Sequence, residues 1–176
     1  MILTGDVIPL RKEVCNLAAL RSLNTATKKA SFKNKTFIRH TNPDGTVGGF
    51  VESTALVDRN VYVSQKALIL GLAQVLDNAQ ILDRTQVCDN ARVSGNAKVC
   101  GNAVVESHAQ VCDNAMVGNN SVISGNVKVF GSAEVYGEVW LVGNAQISKG
   151  ILYTQEMGNL TPVTEYIDEL QYSVRK

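Results

Sequence analysis

Val87-Cys-Asp-Asn-Ala-Arg-Val93-Ser-Gly-Asn-Ala-Lys-Val99-Cys-Gly-Asn-Ala-Val104 states one six-residue phrase three times. The phrase runs back to Val51-Glu-Ser-Thr-Ala-Leu56 and forward to Leu141-Val-Gly-Asn-Ala-Gln146, sixteen hexads without insertion or deletion. A strict short period of this kind specifies a stacked-coil architecture before any propensity is weighed. Position one is Val, Ile or Leu throughout, and position five is mostly Ala. Strand side chains alternate faces, so position five, position six and the next position one read in, out, in. Small Ala and branched Val therefore share a narrow interior. Positions two to four make a corner, where Gly, Asp and Asn tolerate tight turns and left-handed backbone. Stacked Asn side chains are expected to hydrogen-bond one another in a ladder.

A corner every six residues predicts a triangular coil of about 18 residues, with coils ~4.8 Å apart and a rod roughly 25 Å long. A twelve-residue coil would instead stack Cys88, Cys100 and Cys112. The outward position six decides between them. At eighteen-residue spacing Leu68, Gln86, Val104, Val122 and Trp140 fall on one face, joined at position two by Leu70, Cys88, Glu106, Ser124 and Val142. The other two faces are mostly polar, as in Gln74, Arg92, Lys128 and Gln80, Lys98, Glu134. An exposed band of Leu, Val and Trp marks association. The predicted oligomer or partner interface is Leu68, Leu70, Val104, Val122, Trp140 and Val142, with intramolecular cover by the N-terminal segment as the alternative.

Around this solenoid, residues 51–152, lie three further segments. Residues 1–36 form a basic arm with a possible helix at about 10–23 and a polar linker at 24–35. Residues 37–50 comprise a strand (Lys35 to His40), the turn Asn42-Pro-Asp-Gly45 and a lead-in whose twin glycines turn the backbone, leaving Phe50 to plug the open end. Residues 153–176 hold a C-terminal helix. Thr161 and Pro162 supply its start, and Val163, Tyr166, Ile167, Leu170 and Val174 form its apolar stripe for capping or oligomerising.

The chain has a net charge of +1. Residues 1–50 carry eight basic residues against Asp6, Glu13 and Asp44, a net +5, so the remainder carries −4. This asymmetry suggests docking on an acidic surface through Arg11, Lys12, Arg21, Lys28 and Lys29. Only Phe32 and Phe37 offer stacking in that arm, which argues against nucleic acid. No signal peptide or membrane span is read. The four cysteines form no disulfide framework: Cys88, Cys100 and Cys112 fall on three different faces, on the corner or outer surface, and Cys15 is remote. No metal site and no cofactor are expected.

The lead-in Ile38-Arg-His-Thr-Asn-Pro-Asp-Gly-Thr-Val-Gly-Gly-Phe-Val51 together with the Val-x-Gly/Asp-Asn-Ala-x units resembles the YdcK-type β-solenoid repeat proteins, over roughly residues 37–150. The resemblance implies an all-β, single-stranded, left-handed parallel β-helix. It also implies a bacterial, phage or prophage setting and a possible kinship with hexapeptide-repeat acyltransferases. Such transferases are typically trimers that use a His base and acetyl-CoA. Here His108, at position four of its hexad, is the one candidate base, and no loop interrupts the hexads to build a pocket around it. The favoured reading is a non-enzymatic structural or interaction protein, a homotrimeric virion component (capsid decoration, head fibre or tail-spike element) made in the bacterial cytoplasm. The alternatives are an acyltransferase and a phage-encoded protein that binds a host partner through Trp140.

Overall fold

A computed structural model describes residues 7–9, 13–32 and 34–153 of the chain. It is a parallel β-solenoid with three faces. Each face is a ladder of six coil strands, and partners sit eighteen residues apart: Leu68 beside Gln86 beside Val104, Arg92 beside Gln110, Lys98 beside Met116. The eighteen-residue coil expected from the outward residues is the observed one. The interior is built from positions one and five, Val93 and Ala97 or Val111 and Ala115, all fully buried. Where position five is polar, the hydroxyl turns back to the corner. Thr85 Oγ1 donates to Leu82 O at 2.7 Å and Ser121 Oγ to Gly118 O at 2.7 Å, so neither is an unsatisfied core group.

The corners show why position three is restricted. In most of them the N–H of position five bonds the carbonyl of position two, as Ala91 N to Cys88 O at 3.1 Å. From Gly71 to Gly143 every position three has positive φ, whether Gly95 (72°), Asp77 (61°) or Asn119 (58°). Positive φ at the second turn residue alone is the pattern of a II′-like turn. Position-four asparagines stay out of that region and instead form the expected ladder: Asn96 to Asn114 at 3.2 Å, Asn102 to Asn120 at 3.0 Å, Asn126 to Asn144 at 2.9 Å. A second ladder runs beside it. Position-three carboxylates accept the backbone N–H of the corner above, Asp77 from Gly95 and Asp83 from Gly101 at 2.8 Å, Asp113 from Gly131 at 2.9 Å.

The N-terminal segment has a helix within the expected residues 10–23 and a strand within the expected linker. It contains strand β1 (Val7–Pro9), helix α1 (Glu13–Ser22), β2 (Lys29–Phe32), β3 (Lys35–Thr41) and β4 (Val47–Glu52). The sheet order is β1-β2-β3-β4, then the first coil face. The polar composition of residues 29–32 gives no alternation, yet β2 pairs antiparallel with β3 from Lys29–Ile38 to Phe32–Lys35. The Asn42–Gly45 turn forms, with Gly45 N bonded to Asn42 O at 2.9 Å. The C-terminal stripe Val163, Tyr166, Ile167, Leu170 and Val174 lies outside the described residues, as do Arg11 and Lys12.

Phe50 does not plug the solenoid. It occupies an outward position beside Leu68 and joins a second small core with Leu20, Ala30 and Phe37. The phase of the hexad dictates this: Val51 is position one and points inward, so Phe50 points out. The open end is closed by the β3–β4 hairpin instead. A Cβ on Gly49 would overlap the carbonyl oxygen of Ala67, and one on Gly48 would stand 2.6 Å from that of Val63. The two glycines therefore serve close backbone approach. Asn42 then acts as a surrogate strand, accepting from Val63 N at 2.8 Å and donating to Val63 O at 3.3 Å, while His40 Nε2 lies 2.9 Å from Val61 O. An exposed strand edge is thereby paired.

Candidate functional site

The apolar face divides in two. At its N-terminal end Leu68 is fully buried beneath Leu20 of α1, with Leu70 and Leu23 partly buried around it. Leu68 is thus withdrawn from the predicted interface and Leu70 half-withdrawn, because α1 folds back over the first coils. Beyond Gln86 the face is open. Val104 and Val122 are half-buried, Trp140 is 42% exposed and Val142 37%. These four remain as a continuous outward band over the last three coils, since Val104 stacks on Val122 and Val122 on Trp140.

The corner stack beside this face carries the polar chemistry. His108 is exposed at the rim of a shallow depression of about 400 Å³ lined by Gly71, Leu72, Asp89, Asn90 and Ser107. Asp89 is the one carboxylate there, and its Oδ2 already accepts Ser107 N at 3.2 Å. Among the described residues no side chain is hydrogen-bonded to the His108 imidazole. His40 is spent on the cap.

The cysteines are free and apart among the described residues. Cys88, expected at the surface, is instead buried. Its Sγ lies with the carboxylates of Asp89 and Glu106, donor atoms within 4.8 Å of one another. Burial pushes this thiol up to about 11, a hydrogen bond from Gln86 opposing it and the charges of Asp89 and Glu106 adding to it. At neutral pH the group is a thiol, whereas both nucleophilic attack and metal ligation use the thiolate. The eighteen-residue period carried the signal for this meeting, since Cys88 and Glu106 hold the same corner position one coil apart and Asp89 follows Cys88. Cys100 is raised by burial too; beside it the Tyr136 ring covers Gly118, its hydroxyl directed to Met116 Sδ.

Of the predicted docking residues, Lys28 and Lys29 are exposed, and Arg21 is held against the solenoid through Lys66 O at 3.0 Å and Arg84 O at 2.7 Å. A further cation belongs to the cap. Arg39 is buried, its guanidinium donating to the carbonyls of Gly48 (3.1 Å), Gln65 (2.8 Å) and Leu23 (2.7 Å), with Phe50 4.1 Å from its centre.

Two stretches, residues 86–99 and 109–125, match the family model described as YdcK β-solenoid repeat. Both lie in the coils whose corners carry positive φ at position three. The solenoid is of the YdcK type. No curated protein and no solved structure matches the chain. In this YdcK-type solenoid the matched coils supply the rod. The cap, the covered half of the apolar face and the open half of it distinguish the two ends.

Proposed function

We propose that the chain is a non-enzymatic structural or interaction protein, a phage virion component of the capsid-decoration, head-fibre or tail-spike kind, assembled as a homotrimer. The open band of Val104, Val122, Trp140 and Val142 carries this reading. It is apolar, continuous and confined to one face of a three-faced rod, which suits closed association about a threefold axis. The corners add support. Their backbone and side-chain groups are engaged in ladders between coils, and no insertion leaves room for a substrate pocket. The kinship implied by the repeat favours a phage setting. An acyltransferase would need an activated His108, and among the described residues no side chain is hydrogen-bonded to its imidazole.

Light scattering of the full-length chain tests the assembly. A trimer is expected for the native chain and a monomer for Trp140→Asp, which places a charge in the band. A native monomer would overturn the reading. Calorimetric titration with acetyl-CoA is expected to give no heat; saturable binding lost in His108→Ala would return the transferase reading. Mass spectrometry of purified particles from a host carrying the gene is expected to find the chain in a multiple of three copies per attachment site.

A further inference from the structure

The corner stack that begins at Lys66 and ends at Glu138 carries cations on its first two coils, at the position where the repeat most often has asparagine. Position four is asparagine at Asn78, Asn96, Asn114 and Asn126, among others, and in this stack Asn102 bonds Asn120 at 3.0 Å. The two coils before them present Lys66 and Arg84, both exposed. One coil rise of ~4.8 Å separates the two positions, and like charges directly opposite on neighbouring strands destabilise. Helix α1 brings a third cation to the same place. The guanidinium of Arg21 donates to the carbonyls of both residues. Burial lowers its pKa, and the charge of Arg84 lowers it further. A fourth stands behind: buried Arg39 donates to the carbonyl of Gln65, the residue before Lys66, and its hydrogen-bond acceptors among the described residues are carbonyl oxygens.

No carboxylate among the described residues forms an ion pair with any of these four. The nearest in sequence, Asp83, directs its Oδ2 to Gly101 N on the following coil. The chain has given up ladder bonds here and gained repulsion, a local inconsistency of the sort that marks a site. We propose that the corner formed by Arg21, Lys66 and Arg84, backed by Arg39, binds a multiply charged oxyanion of the phosphate class. Arg21 is fixed by its two carbonyl contacts, yet its remaining N–H groups stay available. The Arg84 fork and the Lys66 ammonium supply charge-assisted donors from two adjacent coils. The site lies at the capped end of the rod, away from the open apolar band, and stands whether or not the rod belongs to a virion.

The test is calorimetric titration of the full-length chain with sodium pyrophosphate at low, constant ionic strength. Saturable binding is expected, weakened about ten-fold in the double variant Lys66→Gln, Arg84→Gln, and unchanged in Lys98→Gln, which removes a cation from the neighbouring strand. The carbonyls that hold Arg21 survive the double change. Its melting temperature without ligand should therefore stay level or rise as repulsion is relieved, which separates loss of binding from loss of fold. A short single-stranded oligonucleotide forms the second arm. Competition with pyrophosphate through the same residues would assign the phosphate to a nucleic-acid backbone; no competition would assign it to a small phosphate compound. Absence of pyrophosphate binding, or equal weakening in Lys98→Gln, would overturn the proposal.

Discussion

The coils and the cap solve the same problem by opposite means. In the coils most backbone N–H groups find a carbonyl seventeen residues on, in strands paired at an eighteen-residue register, so the same few residue types recur along each stack. In the cap there is no next coil. Individual residues do the work of a strand: Asn42 pairs both polar groups of Val63, Arg39 gathers carbonyls from α1's end, β4 and the first coil, and Gly48 and Gly49 let a backbone pass where a side chain would not fit. The first coil is transitional. Its position-three residues Ser53, Arg59 and Gln65 lack the positive φ found at each later corner. Redundancy protects a repeat, while a cap concentrates stability in a few contacts.

The comparison is broken most severely by Val93→Asp. Val93 is fully buried in the continuous core, stacked between Val75 and Val111. An unpaired carboxylate there should cost about 4 kcal/mol or more, read as a loss of cooperative urea unfolding. A mild effect would mean that coils tolerate core charge by local opening and are less coupled than their ladders imply. Next comes Gly49→Ala. The added methyl would meet the carbonyl oxygens of Ala67 and, at 2.7 Å, Ser64, both backbone atoms that cannot swing aside. A cost of about 3 kcal/mol is expected, confined to the cap. Hydrogen exchange should quicken at the Val63 amide and remain slow at Val111. Uniform quickening would show the cap and coils to be one cooperative unit.

These two positions also mark how far the sequence could be read. Val93 belongs to a period, and the period assigned the inward residues and the asparagine corners, while the outward residues chose eighteen over twelve for the coil. Gly49 belongs to no period. Its glycine pair and the neighbouring turn were visible, but their purpose depended on which carbonyls lay opposite, which only the folded cap reveals. Phe50 is a similar case: its outward phase is implicit in Val51, yet the cover over it comes from α1, whose docking the sequence does not show, and from β2, whose polar composition gives no strand pattern. At the candidate site the apolar band was legible as a stripe. Cover by the N-terminal segment stood as the alternative and is what takes Leu68, but the residue that provides it, Leu20, is forty-eight residues away and was not legible. Lys66 and Arg84 were legible only as departures from asparagine, and their meeting with Arg21 was hidden.

Arg39→Met sharpens the contrast from the side of the cap. Methionine keeps apolar contact with the Phe50 ring but removes the donors to Gly48, Gln65, Leu23, Thr27 and Asn24 carbonyls. Some of these oxygens would reach water and the buried ones would not, so a loss of about 2 kcal/mol is expected. Burial lowers the pKa of this guanidinium, and arginine remains charged across the accessible range. Lysine at the same position has too few donors and the wrong geometry, so Arg39→Lys should recover little of the loss in thermal unfolding. Full recovery would reduce Arg39 to a generic cation.

The smallest effect tests the redundancy of the coils directly. Asn102→Ala removes one rung, the 3.0 Å amide bond to Asn120, from an exposed corner whose backbone bonds to the coil above are untouched. Asn102 N still reaches Asn119 O at 2.7 Å, and Asp83 still accepts Gly101 N from the coil below. A cost of about 0.5 kcal/mol is expected, scarcely more than for Lys98→Asp, an outward change on the neighbouring strand that should stay within about 0.5 kcal/mol of neutral. The informative quantity is the coupling. A double variant, Asn102→Ala with Asn120→Ala, should cost no more than the single change, because the rung is already gone and both amides are at the surface. A double variant that costs the sum of two full rungs would mean that each asparagine serves its own corner rather than the bond between them. The ladder would then be a by-product of turn chemistry, and the coils would be held together by backbone alone.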